Sequence, residues 1–483
     1  MRRLFGTDGV RGKAGEYPLD PATVRRLGGA LARTMRRTSD SVRILAGRDT
    51  RESGTWIERE LAAGIVSQGG TLTSAGIIPT PAVAYLTPRM GFTAGVVISA
   101  SHNPFEDNGI KVFSGAGEKF TEGLEQQVEL VMADETWSAG SAAVPGKERR
   151  EGVPVSVEQV DYRSEYIGHL REIMPVRLAS LAQGKPAVTT QGVIQRGRTP
   201  GVVPGVLTRI AIDCANGATT TIAPRLFEEL GFDAQCLACE PDGRNINLRC
   251  GSTHPERLAQ VVGSGKYALG IAFDGDGDRA IFVDETGQVV DGDAVMLMCA
   301  KHMQTQGRLR GNAIVATVMS NIGLEIALRD AGIDLVRCAV GDKYVMEEML
   351  KRQLSLGGEQ SGHIIFSDYL FTGDGLATSL NVLRTMAETG RTLASLASEL
   401  TTYPQVLMNL RVQQKVDLKT IPEVAAVIAS VESRLDGNGR LLVRYSGTEP
   451  LLRVMLEGKD QEEIRRWGQE IIDAVRQYVG AEV

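Results

Sequence analysis

No run of this sequence is apolar over enough consecutive residues to cross a bilayer, and Met1-Arg2-Arg3-Leu4 opens no signal-peptide pattern, so a cytoplasmic protein without a membrane partner is expected. Excess positive charge is also missing. Lys and Arg number 53 against 59 Asp and Glu, a net charge of −6, which argues against a nucleic-acid partner and means that any basic site must be assembled locally. Cysteines are sparse, six in 483 residues. Cys236 and Cys239 have the spacing of half a zinc site, but no second pair or His-x-His follows, so small-apolar packing and free thiols are expected. Aromatic residues make up only 5%. What the chain has instead is glycine, 55 in all, with 42% hydrophobic and 23% charged residues, the balance of a soluble α/β protein whose loops come close to ligands. The length fits about three domains, with two or four also compatible.

From the N-terminus, residues 5–12 form a glycine-punctuated loop that delivers one guanidinium, Arg11; as a plain turn it would carry no chemistry. Asp20 and Pro21, an N-cap and a first helical residue, open a helical pattern through Leu27 and Leu31 to Met35. Strands are expected at 42–47, near 71–75 and at 95–98, alternating with helices, so residues 1–160 read as a mixed-sheet αβ domain with helices on both faces. A short helical connector at 161–170 opens a second αβ domain, 161–284, with strands at 208–213, 233–238 and 268–273. Near 184–205 it is interrupted by a glycine- and proline-rich stretch that reads as an exposed, mobile insertion without chemistry. A third domain, 285–392, carries helices near 292–304 and 375–387 and strands at 313–317 and 335–340. The remainder, 393–483, is smaller, with strands at 441–443 and 452–455.

Four stretches carry candidate chemistry. Strand 95–98 runs into Ser99-Ala100-Ser101-His102-Asn103-Pro104, so a buried strand ends in a sharp turn. Open α/β sheets place ligands beyond the carboxyl ends of their strands, and Ser101 offers a hydroxyl there beside the imidazole of His102 and, further along, the ammonium of Lys111. Taken alone, the stretch reads better as a polar turn. Strand 268–273 delivers Asp274-Gly-Asp276-Gly-Asp278-Arg279. Three carboxylates alternating with glycines can converge on one hard divalent cation, and Arg279 adds a donor fork for an anion bound to it. A calcium-binding helix-loop-helix competes, because Asp274, Asp276, Asp278 and Glu285 fall at its positions 1, 3, 5 and 12, but Arg279 stands where position 6 needs Gly and both flanks are strand-like. Gly263-Ser-Gly265-Lys266 mimics a nucleotide loop, yet Gln260 stands where an earlier Gly is required and Tyr267 where Ser or Thr is required; it reads as a surface turn.

The third stretch, residues 357–363, presents Glu359, Ser361 and His363 from one glycine-rich loop, which suits adjacent sugar hydroxyls; equally, His363 could begin the next strand with its ring bonded to backbone. It follows a Gly341-Asp342-Lys343-Tyr344 turn. The fourth, residues 444–450 with Arg453 in the next strand, gathers two guanidiniums, two hydroxyls and turn amides into a phosphate cradle, against the alternative of a polar β-turn.

In this order, SASHNP (99–104), DGDGDR (274–279), GGEQSGH (357–363) and RYSGTEP (444–450) resemble the α-D-phosphohexomutase superfamily, and FGTDGVRG at the N-terminus with GEQSGH resembles its phosphoglucosamine mutase branch. The resemblance covers essentially the whole chain, one motif per inferred domain. It implies an α/β fold of four domains around a central cleft, three similar mixed-sheet αβ domains and a smaller C-terminal α+β domain. It further implies that Ser101 is phosphorylated, that Asp274, Asp276 and Asp278 hold one Mg2+ per active site together with an oxygen on Ser101, and that Arg279 touches that phosphoserine. Glu359 and Ser361 would grip sugar hydroxyls, with Lys343 also binding substrate. Arg444, Ser446, Gly447, Thr448 and Arg453 would hold the phosphate that is not reacting. Arg11, His102, Lys111 and His363 would be the proton-transfer and charge-stabilising groups. The implied reaction interconverts glucosamine 6-phosphate and glucosamine 1-phosphate through glucosamine 1,6-bisphosphate, supplying amino-sugar nucleotides for cell-wall precursors. A phosphoglucomutase or phosphomannomutase is the alternative within the superfamily. A metal-assisted phosphatase would need a second metal cluster, and a non-catalytic sugar-phosphate sensor has little use for a serine beside a metal. The expected assembly is a monomer or homodimer, and the 184–205 insertion departs from the compact family pattern.

Overall fold

A computed structural model describes residues 4–6, 8–137, 157–174, 209–265, 267–446 and 451–480. The insertion expected at 184–205 lies outside them. Among the described residues no helix is long and apolar enough to cross a membrane. By their contacts the residues fall into two units, Met1–Met319 with Val336–Ser398, and Ser320–Leu335 with Glu399–Val483.

The first unit contains three mixed sheets. The first comprises β1 (Val10–Lys13), β2 (Arg43–Arg48), β3 (Thr71–Ile77), β4 (Ala94–Ile98), β5 (Asp107–Ser114) and β6 (Glu158–Gln159), in the spatial order β1-β5-β4-β2-β3-β6. Strand β4 lies between β2 in parallel and β5 antiparallel, and it is buried along its whole length because the helices Thr80–Arg89 and Gly54–Ser67 pack on it. A strand covered in this way can be continuously apolar, as Ala-Gly-Val-Val-Ile is. The helix Pro21–Met35 starts where Asp20 accepts a hydrogen bond from Thr23 N–H, and its buried Leu27 and Leu31 join Leu61 and Ile65 of the helix Gly54–Ser67 in the core. Burial of each such leucine is worth roughly 1.5–3 kcal/mol.

Nothing in the local sequence pattern announces strand β5. It opens on Asp107-Asn108-Gly109, turn-forming residues by type, and six consecutive residues in it are buried, so no alternation marks it. It is held by ladders on both sides, pairing Val10 with Ile110 and Val97 with Lys111.

The second sheet has β7 (Arg209–Asp213), β8 (Asp233–Leu237), β9 (Leu269–Phe273), β10 (Ala280–Asp284) and β11 (Val289–Val290) in the order β11-β10-β9-β7-β8. Strands β9 and β10 are antiparallel and close on the pair Phe273–Ala280, so the six residues between them form a hairpin loop flanked by strands. That geometry agrees with setting aside the helix-flanked calcium motif. The third sheet has β12 (Ala313–Thr317), β13 (Asp334–Cys338, of which Val336–Cys338 fall in this unit), β14 (Leu356–Gly358) and β15 (Ile364–Phe366) in the order β13-β12-β14-β15. All six cysteines are free.

The second unit is built on an antiparallel sheet of β16 (Gln405–Arg411), β17 (Arg440–Tyr445) and β18 (Leu451–Glu457), ordered β16-β18-β17. Its core unites these strands with the helices Pro422–Leu435 and Gln461–Tyr478. The helix Ile322–Asp330 belongs here as well, although it lies in sequence within the third region. The fully buried Glu457 explains why: its carboxylate accepts from Ile322 N–H at 3.2 Å and Asn321 Nδ2 at 3.3 Å, and meets Arg440 Nε at 3.0 Å. An anionic side chain at a helix N-terminus satisfies otherwise orphan amides and complements the helix dipole.

Candidate active site

The chain leaves β4 through Ser99 and Ala100 and reaches Ser101 in the left-handed region, with φ 52. This is an uncommon conformation for a residue with a Cβ, and it is over-determined by its neighbours. Ser99 Oγ accepts from Ser101 N–H at 2.9 Å and donates to the buried Asp49 carboxylate. Asp49 pairs in turn with the buried guanidinium of Arg51. The Ser101 hydroxyl is thereby aimed at Asp274, to whose Oδ2 it donates, with His102 Nδ1 3.3 Å away.

The β9–β10 loop supplies Asp274, Asp276 and Asp278, all buried, with one carboxylate oxygen from each lying within 4.8 Å of the others. Their crowding is visible in Asp274: burial, then the Asp278 and Asp276 charges, hold its carboxyl well above the ordinary carboxylate range. Asp278 goes the other way. Burial would raise it too, but Lys111, His363 and Arg279 outweigh that and hold it well below. Asp276 Oδ1 and Asp278 Oδ1 are buried without a hydrogen-bond partner. Two orphan anionic oxygens beside a third carboxylate and a serine hydroxyl fit a hard divalent cation with oxygen ligands.

The β5 strand returns Lys111 to this loop. Its ammonium donates to Asp276 Oδ2 at 2.9 Å and Asp278 Oδ2 at 3.0 Å and lies 3.1 Å from Asp8 Oδ2. Burial disfavours that charge, yet the three carboxylates hold the Lys111 pKa well above its ordinary value, so it is a fixed cation. Asp8 also meets Lys119 at 2.7 Å and pairs with Arg11, and these cations keep it ionised against the cost of burial. Arg11 donates to the Ala100 carbonyl at 3.3 Å. His102 is pushed down to about 4 by burial, then by Arg279 and Arg11, and is therefore neutral at pH 7.

The third sheet brings in the loop after β14. Glu359 Oε1 accepts from Gly341 N–H at 3.2 Å, and Ala280 N–H donates to the Gly362 carbonyl at 3.1 Å, which ties this loop to the start of β10. His363 is buried. Its Nε2 accepts from Gly373 N–H at 3.0 Å, and its Nδ1 lies 3.6 Å from Asp278 Oδ1. Both alternatives read from the sequence are thus present together, a backbone-satisfied ring and a ring facing the carboxylate cluster. Burial lowers the His363 pKa, but Asp278 and Asp342 overcome it and raise it above the ordinary value. A cavity of about 520 Å³ is lined by Arg11, His102, Asp278, Arg279, Asp342 and Glu359, among others.

Lys343 does not join that cavity. Its ammonium lies buried 3.1 Å from Glu125 Oε2, because the Asp342–Arg352 helix turns the side chain toward the helix Glu122–Ala133. Gln360 is also committed, donating to Asp291 Oδ2 at 3.0 Å. Ser361 is exposed on the loop.

In the second unit, β17 and β18 place Arg444 directly opposite Arg453, so both guanidinium-bearing residues stand on one face of the sheet. Ser446 N–H donates to the Leu451 carbonyl at 2.7 Å, and its own carbonyl accepts from Lys415 at 2.6 Å. Gly447 and Thr448 lie outside the described residues.

Sequence reasoning missed Asp8, Arg51, Thr80 and Asn247, which bond candidate groups directly, and Asp49 and Lys119, which hold Arg51 and Asp8. Only Asp8 carried a local signal, since it lies in the same glycine-punctuated loop as Arg11.

Four domains of the phosphoglucomutase/phosphomannomutase family match this chain in order: alpha/beta/alpha domains I, II and III at residues 2–139, 205–287 and 291–403, and the C-terminal domain at 407–474. The chain is 46% identical over 477 residues to the phosphoglucosamine mutase of Solibacter usitatus, covering 99% of both chains. It is 45% identical over 482 residues to that of a Geobacter species, covering 100% of this chain and 99% of the relative. A crystal structure of a phosphoglucomutase/phosphomannomutase family protein from Burkholderia thailandensis shares the fold, with a TM-score of 0.75 at 22% identity over 100% of this chain and 99% of that one.

Proposed function

We infer that this chain, which belongs to the phosphoglucosamine mutase branch of the α-D-phosphohexomutase superfamily, interconverts glucosamine 6-phosphate and glucosamine 1-phosphate. The observation that carries the reading is the Ser101 hydroxyl bonded to Asp274 of a three-carboxylate loop, in a chain 46% identical to a relative of that name.

In this reading Ser101 carries a phosphoryl group at rest. Its Oγ–P bond breaks as the free hydroxyl of the hexosamine monophosphate forms a new O–P bond, giving glucosamine 1,6-bisphosphate and a free serine. The bisphosphate turns end for end. The serine oxygen then takes the other phosphoryl group, so a hydroxyl and a phosphate have exchanged places on the sugar. Asp274, Asp276 and Asp278, with an oxygen on Ser101, would hold Mg2+, which supplies charge neutralisation on the transferring group. Lys111 and Arg279 add fixed positive charge beside it, and phosphoryl transfer depends chiefly on such positioning and electrostatics. Arg11 and His363 face the same carboxylates, while neutral His102 stands with its Nδ1 3.3 Å from the serine oxygen. Glu359, with Ser361, is the group assigned to sugar hydroxyls, and Arg444, Ser446, Gly447, Thr448 and Arg453 to the non-reacting phosphate. The Lys343–Glu125 pair argues against a direct substrate role for Lys343.

The deciding measurement is the ratio of specificity constants for glucosamine 1-phosphate and glucose 1-phosphate, each with its own bisphosphate activator, with mannose 1-phosphate run beside them. A ratio well above one is expected. A ratio at or below one rejects the glucosamine preference, and release of inorganic phosphate without isomerised sugar rejects the mutase reaction.

A further inference from the structure

We propose that Asn247 is a positioning residue for the Ser101 nucleophile, closing from the second αβ layer a clamp whose other half is Arg51. The inference rests on the reading of Ser101 as the phosphoryl carrier and names what holds it in place.

Two carbonyl oxygens of the serine turn, those of Ser101 and Asn103, are each gripped twice. Arg51 Nη2 donates to Ser101 O at 3.2 Å and Asn103 O at 2.6 Å. Asn247 Nδ2 donates to the same two oxygens at 2.8 and 3.0 Å. Arg51 is buried on Asp49, which also fixes Ser99, so the first half of the clamp is rigid. The second half is fixed through its backbone. Asn247 N–H donates to the Ala215 carbonyl at 2.9 Å, and Asn216 N–H to the Ala238 carbonyl at 2.7 Å, which anchors the segment on the turn after β7.

The metal loop closes the junction. A Cβ placed on Gly275 would stand 2.5 Å from Ser101 O and 2.9 Å from Asn247 Nδ2. The serine carbonyl, the asparagine amide and the backbone of the carboxylate loop therefore meet with no space between them. Pinning the carbonyl of a residue held at φ 52 fixes the peptide plane from which the side chain departs. Asn247 thus sets where Ser101 Oγ stands relative to Asp274, without touching either the reacting atom or the sugar. A misplacement of about 1 Å in such an arrangement can cost on the order of 100-fold in rate.

The test compares Asn247→Ala with the isosteric Asn247→Asp, measuring kcat, KM for glucosamine 1-phosphate, phosphoserine occupancy by intact mass, and Tm. A donor role predicts that kcat falls at least about tenfold in both variants while KM stays within about threefold. The Asp variant should be as impaired as the Ala variant or more, because its carboxylate opposes two carbonyl oxygens. A Tm within a few degrees of wild type accompanies this result, and Asn247→Asp alone decides the matter should the Ala variant not fold. Wild-type turnover in Asn247→Asp, or a loss that appears only in KM, overturns the proposal. Failure of the wild-type protein to isomerise glucosamine phosphate would instead reject the underlying function, so the two failures are separable.

Discussion

Thr80 Oγ1 donates to Asp276 Oδ2 over 2.6 Å, and Thr80 N–H donates to the Asp276 carbonyl over 2.8 Å. The first residue of a helix in the first αβ layer thereby fixes the central carboxylate of a loop in the second. Thr80→Val keeps the shape and the backbone bond while removing the hydroxyl donor. It should cost about 1 kcal/mol of stability, and it should raise the Mg2+ concentration for half-maximal turnover several-fold, because the carboxylate loses one of its two restraints. Titration of activity with Mg2+ measures this, and an unchanged midpoint would mean that Lys111 alone orients Asp276.

Phosphate should be found covalently on Ser101 in the purified active protein. The residue is buried, and its oxygen faces the carboxylate loop and His102, so water has little access to a phosphoryl group held there. Intact mass and peptide mapping locate it, and Ser101→Ala should be inactive. Phosphate only at other positions, or a Ser101→Ala variant with normal turnover, contradicts the assignment.

Lys111→Met removes the ammonium shared by Asp8, Asp276 and Asp278. Deleting one partner of a buried ion cluster typically costs about 3–5 kcal/mol. The loss should be largest without metal, because a divalent cation can replace part of the missing charge. Thermal melts with and without Mg2+ should therefore show a larger metal-induced rise in Tm for the variant than for wild type. Equal rises would show that the cation and the ammonium do not share these carboxylates.

Asp374 gives a pH signature. Burial pushes its carboxyl up to about 6, only partly opposed by Ala377 N–H and Tyr166 OH, from an ordinary value of 3.8. The folded chain thus holds this proton more tightly than the unfolded one. The resulting stabilisation is complete below about pH 4 and is lost as the pH rises through about 6. From well below pH 4 to well above pH 6 the whole free-energy swing is roughly 3 kcal/mol. Asp374→Asn does not titrate, so the stability of wild type relative to the variant should fall by most of that amount between pH 4 and pH 7. A gap that stays constant with pH, by chemical denaturation, rejects the raised pKa.

How much of this was legible beforehand depended on sequence separation. The Asp274–Asp278 loop and the helix opened by Asp20 are each announced within a few residues, by alternating Asp and Gly and by a capping pair, whereas Ser101, a polar turn when taken alone, stood out only beside the other motifs of the chain. Strand β5 hid because burial on both sides removed the period-two signal, and its first residues are turn formers. Arg51, Thr80 and Asn247 were invisible for a different reason. Each matters only through partners far along the chain, as in the 196 residues between Thr80 and Asp276 or the 146 between Asn247 and Ser101, and no local pattern encodes such a pairing. Lys343 shows the converse: a lysine in a suggestive turn is claimed by a glutamate 218 residues away.

The bond between Ile322 N–H and Glu457 joins residues 135 positions apart. During synthesis the helix Ile322–Asp330 leaves the ribosome long before the strand that completes its N-terminus. At about 5–20 residues per second, the interval is on the order of ten seconds. For that time its first amides and the Asn321 side chain have no native carboxylate, so the C-terminal unit cannot be finished in the order in which it is made. A nascent chain stalled before β18 would hold the helix with Gly323 N–H already bonded to Asn321 Oδ1 but with Ile322 N–H still lacking the Glu457 carboxylate.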